Sequence, residues 1–530
     1  MANASSGSRL RWIVLALILV VVGGGVAAIW TLGDMGDDSR WMATYLAGMA
    51  LAGLLALWLL LLSGLRWYFR LAAVGLLFTG ICGGLFGLRS EIRFDGDMRM
   101  VGRWRWEKDP EDILAAHRQE QGTFAPSAKY ELTRIEPTDW PEYRGPQRDG
   151  VIRGQQISRD WKAHPPKLLW RQPCGLGWAS FAVVGDFAVT IEQRKQNEVV
   201  VAYDIPTGKE IWKYEHPERF DEAPGGIGPR ATPTIAHGDV FSLGAAGHLA
   251  CLDGQTGKPK WTKNILEGGL NLRWAMAGSP LVVGDLVIVN PGNQRETKTW
   301  EAVLALDRKT GDVVWKSGWT KGGYSSPMLA TIAGVEQIVL LDGKQVAGFE
   351  IKTGKELWRY DWDKTQQDIN VAQPLVFADG RIFITSGYSV GCAMLLPTKE
   401  GDQWKVEEKF RLDNKPLRCK FSNPVEHNEY IYGLDDGILA CIRASDGKLQ
   451  WKEGRYGHGQ ILRWEDLLIV STERGDLVLV AADPKELKEL GRIKAIKGER
   501  CWNVPAVANG RILVRNEQEM ACFDLRPATP

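Results

Sequence analysis

Three groups of side chains in this chain are of types that do chemistry. The first is a set of cations and aromatics, Trp178, Arg230, Arg273, Trp274, Tyr324, Asn370, Arg418, Lys420, His458, Arg500 and Trp502, each standing shortly before a short apolar run. Converging guanidinium and ring groups would hold a planar anion by ion pairing and stacking, or an acidic, aromatic segment of another protein. The second group is acidic: Asp342, Asp435, Asp436, Glu473 and Glu517. Carboxylates gathered together ligate divalent cations or act as general bases. Three of these stand beside glycine, in Asp342-Gly343, Asp436-Gly437 and Glu473-Arg474-Gly475, where turn formation accounts for them.

The third group is the cysteines and histidines. None of the eight cysteines is adjacent to another and no Cys-x-x-Cys occurs, which excludes zinc ribbons, thioredoxin-like sites and covalent haem. Cys251, Cys441 and Cys522 recur within Leu249-Ala-Cys-Leu, Leu439-Ala-Cys-Ile and Met520-Ala-Cys-Phe, so they are expected on equivalent buried strands as packed thiols. His117, His164, His216, His237, His248, His427 and His458 show no ligand spacing. No Asp-x-Asp-x-Asp-Gly loop and no Ser/His/Asp arrangement is present, and Gly225 to Gly228 precedes a strand rather than a helix, so it is read as a loop. No catalytic and no metal-ligating residue is assigned.

The elements that must position these groups repeat. Asp204 to Trp212, Asp253 to Trp261 and Asp307 to Trp315 each read as an acid ending one strand, a Thr-Gly turn in which glycine supplies positive φ, and a second strand ending in Trp; Glu350 to Trp358 and Arg443 to Trp451 follow the same plan. Trp170, Trp212, Trp261, Trp315, Trp358, Trp404 and Trp451 are separated by 42, 49, 54, 43, 46 and 47 residues. A period of about 40 to 50 residues with four short strands per unit is a propeller blade. Outer strands ending near those seven Trp residues and near Gly491 make eight, and a spare strand at about 167–172 matches a missing last strand in the unit from Cys501 to Asp524. The fold class expected is therefore an all-β, eight-bladed β-propeller over residues 139–530, closed by that pairing.

The Asp-x-x-Thr-Gly-Lys-x-x-Trp unit resembles the repeats of the quinoprotein family: the propellers of pyrroloquinoline quinone dehydrogenases and their cofactor-free relatives. The resemblance runs from about Asp139 to Asp524, with Asp139 to Gly145 similar to the opening segment of such propellers. It implies that the Trp residues dock against the neighbouring blade near the glycine turn. It also implies that the loops leading into the inner strands share one face. That face, the channel mouth, would carry Trp178, Arg230, Arg273, Trp274, Tyr324, Asn370, Lys420, His458 and Trp502. Family dehydrogenases often place two adjacent cysteines under the quinone and wall in the cofactor with long insertions; neither is present here. The compact size instead resembles the cofactor-free outer-membrane assembly propellers, which implies no cofactor and a protein partner at the propeller face. The alternative is a membrane-bound dehydrogenase using pyrroloquinoline quinone with Ca2+.

Ahead of the propeller, residues 12–33, 41–65 and 71–88 lack any charge, and each is long enough to cross a bilayer as a helix. A membrane anchor over 1–90 and a linker over 91–138 with a short helix at 110–121 follow. Arg9, Arg11, Arg66 and Arg70 inside, and Asp34, Asp37 and Asp38 outside, put the propeller on the extracytoplasmic or periplasmic side of the cytoplasmic membrane. Against that orientation stand Arg89, Arg93, Arg99, Arg103 and Arg105 after the third span. The Arg99 to Trp106 stretch fits an interfacial anchor on anionic lipid or a solvated linker. A formal net charge of +1 gives no basis for nucleic-acid binding.

Overall fold

The computed structural model describes residues 4–31, 37–94, 98–122, 130–222, 225–267, 269–291, 293–294, 300–318, 320, 322–363, 369–498 and 500–527. The expected loop acid Asp34 lies outside them. The chain divides into two compact units, Met1–Asp109 and Pro110–Pro530.

The first unit holds α1 (Ala4–Thr31), α2 (Asp37–Leu61) and α3 (Trp67–Cys82), the last extended by a π turn over Gly83–Gly87. All three are long and apolar enough to cross a membrane, over Arg9–Thr31, Ser39–Leu61 and Trp67–Gly87. Aromatic groups collect at both ends of the α1/α2 pair. At one end Trp12 meets Trp58 with ring centroids 5.8 Å apart, and Trp58 Nε1 donates to Arg11 O at 3.0 Å. At the other, Trp30 meets Trp41 at 5.1 Å and donates from Nε1 to Thr44 Oγ1 at 3.0 Å. Eighteen residues of helix separate Trp12 from Trp30, about 27 Å at 1.5 Å per residue, close to the hydrocarbon thickness that aromatic belts bracket.

After α3 the chain turns into a hairpin that the sequence did not suggest, Arg89–Phe94 paired antiparallel with Met100–Trp104. Tyr45 of α2 clasps its turn: the Tyr45 hydroxyl donates to Met98 O at 3.0 Å and accepts from Met100 N–H at 2.6 Å. The stretch expected as an anchor or linker is thus mostly one arm of a small sheet. Its arginines face local partners, Arg93 with Glu91 and Arg103 with Asp109 at 2.8 Å, while Arg89 lies 4.7 Å over the Trp104 ring.

The second unit opens with α4 (Pro110–Gln121), which starts on proline with Glu111 and Asp112 in its first turn. It packs on the blades: Arg118 Nη2 donates to Tyr203 Oη at 3.2 Å and Glu111 pairs with Arg219 at 3.4 Å. Eight four-stranded antiparallel sheets follow. From inner to outer strand, blade 1 is Ala182–Val184, Phe187–Arg194, Asn197–Asp204 and Glu210–His216; blade 2 is Thr234–Ala236, Asp239–Leu243, His248–Asp253 and Pro259–Asn264. Blade 3 is Leu281–Val283, Leu286–Val289, Val303–Asp307 and Val313–Ser317; blade 4 is Met328–Ile332, Val335–Leu341, Gln345–Phe349 and Glu356–Asp361. Blade 5 is Leu375–Val376, Ile382–Ser386, Gly391–Glu400 and Gln403–Asp413; blade 6 is Val425–His427, Tyr430–Asp435, Ile438–Arg443 and Leu449–Arg455. Blade 7 is Gln460–Trp464, Leu467–Ser471, Asp476–Ala481 and Glu489–Lys494, with Val151–Ile152 added in parallel to its inner strand. Blade 8 is Ala506–Ala508, Arg511–Arg515 and Glu519–Asp524, and its outer strand, Lys167–Pro173, comes from before blade 1.

The middle strands are apolar on both faces because each blade is covered on both sides. The core is accordingly a circuit of inter-blade layers, such as Val189, Val200 and Ala202 of blade 1 against Val240 and Leu252 of blade 2. In every blade a β-bulge follows the third-strand residue that faces the repeated Trp position. Those facing residues set the volume available. Ala202, Cys251, Ala305, Gly348, Cys441 and Cys522 are small and face Trp212, Trp261, Trp315, Trp358, Trp451 and Trp170, whereas Met394 faces Phe410 and Leu479 faces Gly491. The seven described propeller cysteines are buried and free, as packed thiols should be.

The expected docking of Trp on the next blade's turn holds for four positions. Trp170, Trp212, Trp261 and Trp315 lie over Gly208, Gly257, Gly311 and Gly354, all at φ between 68° and 76°, where a Cβ would come within 3 Å of the ring. Their indole N–H groups donate to Ile205, Gly254, Arg308 and Ile351 carbonyls at 2.6 to 3.0 Å. Trp451 keeps the inter-blade bond, to Asp483 O at 2.9 Å, in a turn without glycine. Trp358 donates within its own blade, to Gln337 Oε1 at 2.6 Å. Trp404 does not take the docking position: it sits near the tip of the long blade 5 hairpin, partly buried against the core layer of blades 4 and 5, and Phe410 lies over Gly447 in its stead. At Gly491 the place opposite the third strand is taken by the Cβ and backbone of Trp161, against which a Cβ on Gly491 would collide.

Candidate functional site

The central channel is closed from the side of the first hairpin turns. Trp140 bridges to Val183, Pro141 O accepts from Ile235 N–H, and Gly150 O accepts from Arg463 N–H, so residues 139–152 thread between the inner strands. This segment brings two arginines into the axis. Arg148 Nη1 donates to Ser279 O at 3.0 Å and Pro327 O at 2.7 Å, its Nη2 reaches Pro280 O, and its Nε pairs with Glu142. Arg144 Nη2 donates to Pro424 O at 3.0 Å. Both side chains are buried. A buried guanidinium needs many acceptors, and a ring of inner-strand carbonyls supplies them.

Above the plug lies a belt of buried polar residues, one at the head of most inner strands. Ser180 N–H donates to Thr232 Oγ1 at 3.0 Å, Thr232 N–H to Ser279 Oγ at 2.9 Å and Ser279 N–H to Ser326 Oγ at 2.9 Å. Gln373 N–H donates to Asn423 Oδ1 at 2.7 Å, and Gln460 Nε2 bridges Phe421 O and Trp502 O. The belt ties blade to blade, and five of its groups, Thr232, Ser279, Ser326, Gln373 and Asn423, immediately precede the prolines of the inner strands.

The predicted mouth residues sit above this belt, in a band of rings. Trp178 and Trp502 lie 4.6 Å apart, Trp502 and Phe421 5.0 Å, and Phe421 and His458 5.5 Å. Trp274 meets Tyr324 at 5.8 Å. Joining the two groups is a small hairpin, Asp221–Glu222 with Gly226–Ile227, in the stretch read from sequence as loop. Trp178 Nε1 donates to Gly225 O at 2.8 Å, and a Cβ on Gly225 would touch Trp274. Phe421 and Tyr388, which the sequence reading missed, belong to the band; Tyr388 and Ser389 adopt left-handed φ of 55° and 63°, a local strain at the rim.

Cations line the band but have neighbours of their own. Arg500 pairs with Glu517 and lies 5.3 Å over Trp178; Arg273 stands 3.9 Å from Glu222 and 5.0 Å over Trp274. Lys420 lies 5.5 Å over Tyr388. Arg230 donates to Gly225 O and Gly226 O at 2.9 and 3.2 Å, and burial pulls its guanidinium down to about 10 although Glu222 and Glu517 oppose this. Arg418 is held by Asp435 at 2.9 Å and Asp436 at 3.1 Å.

The acids are held in turn. Glu473 accepts from Trp502 Nε1 at 2.7 Å and from His458 N–H at 3.0 Å. Asp342 accepts from Lys344 and Gln345 N–H at 2.8 and 2.9 Å, closing its turn, and burial pushes it up to about 6. Asp435 lies between Arg418 and Lys452, which hold it below the usual range against the pull of burial. Asn370 departs from the expectation. It is fully buried, donating to Asp342 O at 2.7 Å and accepting from Ser386 Oγ at 2.6 Å, so it ties blade 4 to blade 5 and offers nothing to a ligand.

A family model described as outer membrane protein assembly factor BamB matches residues 166–294 and 196–453. Tetrathionate hydrolase of Acidithiobacillus ferrooxidans is 23% identical over 218 residues, 39% of this chain and 42% of that protein. Quinoprotein ethanol dehydrogenase of Pseudomonas aeruginosa is 24% identical over 219 residues, 39% of this chain and 32% of that enzyme. The chain thus spans less than half the length of these two relatives. Among solved structures, BamB from Moraxella catarrhalis superposes with a TM-score of 0.50 at 15% identity, over 68% of this chain and 99% of that one, a likeness of fold.

Proposed function

We infer the function of a chain that belongs to the family described as outer membrane protein assembly factor BamB, and propose that it is a non-catalytic scaffold: a propeller held outside the cytoplasm by three membrane-spanning helices, docking a protein segment across its mouth. One observation carries this reading. The mouth carries two aromatic groups, Trp274 with Tyr324 and Trp178 with Trp502 and Phe421, bridged through Gly225 and bordered by cations and acids that already neutralise one another. Such a surface suits a partner that buries ring faces and exchanges hydrogen bonds.

Four of the five mouth acids are committed in ways that do not fit a Ca2+ held with a quinone, while Asp436 pairs with Arg418 through one oxygen and has the other buried without a partner. Asp342 closes its own turn, Asp435 neutralises two cations, Glu473 holds Trp502 and His458, and Glu517 holds Arg500. Freeing any of them as a metal ligand or base leaves its partner stranded in a buried setting.

A photocrosslinking residue at Leu270 or Arg273, on the exposed rim, should in cells trap one discrete protein. The adduct should vanish when Trp178 and Trp502 are both changed to Ala. A crosslink unaffected by that pair would sink the docking site. Separately, purified full-length chain is incubated with pyrroloquinoline quinone and Ca2+; a retained quinone spectrum with alcohol-dependent dye reduction would sink the non-catalytic reading. A reporter fused after Pro530 and active only in the cytoplasm would overturn the orientation.

A further inference from the structure

Where α1 begins, α2 ends and α3 begins, the helical unit gathers Arg9, Arg11, Arg66 and Arg70, and residues 1–33 and 39–90 contain no Asp or Glu. Local contacts fix these cations without neutralising them. Arg70 donates from Nε to Leu65 O at 2.7 Å and from Nη1 to Leu60 O at 2.6 Å, covering carbonyls left open where α2 ends. Arg66 Nη1 donates to Tyr68 Oη at 3.1 Å, and the Arg11 guanidinium lies against Gly64. From Arg9 to Thr31, where α1 ends, the helix runs about 33 Å at 1.5 Å per residue and carries no acid. At the opposite end of the unit, arginines meet acids, Arg93 with Glu91 and Arg103 with Asp109.

The cationic end is also lined by rings at the level of a bilayer interface. Trp12 packs on Trp58, while Trp12 and Trp67 are 63% and 72% exposed. Amphipathic rings sit among glycerol and headgroups, and guanidinium groups beside them meet lipid phosphate. A freely diffusing phosphate would have no use for the rings.

We propose that this end is a binding site for the phosphate of anionic phospholipid, built by Arg11, Arg66 and Arg70 with Arg9 at its margin. The proposal rests on the reading that the three helices cross a bilayer. Each arginine near an anionic surface contributes roughly fivefold in affinity, so removing two costs roughly 25-fold.

Full-length chain in detergent is titrated with phosphatidylglycerol and, separately, phosphatidylcholine, with bound lipid counted by native mass spectrometry. The expected result is a preference for phosphatidylglycerol of roughly 25-fold or more. That preference should fall roughly 25-fold in Arg11→Gln/Arg66→Gln, persist in Arg89→Gln/Arg93→Gln, and resist displacement by inorganic phosphate. Equal binding of both lipids, a preference that survives the first pair of substitutions or is lost equally in the second, or displacement by inorganic phosphate would overturn the site. Should Arg11→Gln/Arg66→Gln not fold, the wild-type preference must weaken as salt is raised; insensitivity to salt counts against it. Alkaline washing of the chain in vesicles separates the premise from the proposal. A chain stripped from vesicles of either lipid overturns the spanning reading, whereas one that stays embedded without headgroup preference overturns only the site.

Discussion

Replacing Glu198 by Gln should stabilise the propeller, and by an amount that depends on pH. Glu198 begins the third strand of blade 1 and is buried against blade 2, where its Oε1 accepts from Ala245 N–H at 2.8 Å. Its Oε2 is buried without a hydrogen-bond partner. Burial pushes this carboxyl from 4.5 up to about 7, the Ala245 N–H and Arg230 working against the rise and Glu218 adding to it. At about 1.4 kcal/mol per pH unit, the interval between 4.5 and 7 places roughly 3 kcal/mol against the ionised form. Because the folded value lies above the unfolded one, the folded state binds the extra proton. The stability it confers is whole below pH 4.5, declines as pH rises, and is gone above about 7. Gln offers the same oxygen to Ala245 and never ionises. Denaturant unfolding of full-length wild type and Glu198→Gln, followed by tryptophan fluorescence, should therefore coincide near pH 4.5 and separate steadily, with the variant about 3 kcal/mol more stable at pH 8. A difference that stays constant between pH 5 and 8, or a variant less stable at pH 8, would refute the reasoning.

Three further outcomes are expected. Gly257→Ala, at φ 68° with a Cβ 2.5 Å from the Trp212 ring, should cost about 2 to 4 kcal/mol, whereas Gly284→Ala, at φ 57° in open space, should cost only about 1 kcal/mol; paired denaturation curves decide. Arg148→Met strands Glu142 and should cost about 3 to 5 kcal/mol, much of it recovered in Arg148→Met/Glu142→Gln by the same measurement. Cys174, Cys251, Cys392, Cys441, Cys501 and Cys522 are pushed up to about 12 by burial and Cys419 also upward, so N-ethylmaleimide at pH 7.5 should modify none of these seven propeller thiols in native protein and all seven after denaturation.

The propeller was legible because one turn recurs: an acid, Thr-Gly and a Trp at fixed offsets mark the strands. What spacing alone misplaced was Trp404, whose interval suits the series although Phe410 occupies the docking position. The signal lay in the facing strand, where Met394 takes the volume that a small residue would leave to an indole, as Leu479 does opposite Gly491. At the mouth, the blade assignment brought Trp178, Trp502 and His458 into one ring group and Trp274 and Tyr324 into another beside it, because the loops ahead of inner strands must converge. The direction of each side chain was not legible. Asn370 turns inward to Asp342 and Ser386, and nothing in its neighbours in the chain announces that. Nor did any local pattern show that Arg144 and Arg148 enter the channel axis, since their acceptors belong to blades more than 100 residues away.

The outer strand of blade 8 sets a timetable for the cell. Lys167–Pro173 leaves the ribosome before any blade, while its partner Glu519–Asp524 follows 346 residues after Pro173. At 5 to 20 residues per second that wait is roughly 20 to 70 s. During it a strand with Leu168 and Leu169 on its surface has nothing of its own to pair with. Every nascent copy therefore passes through an open, adhesive stage until Glu519–Asp524 is made and the ring closes.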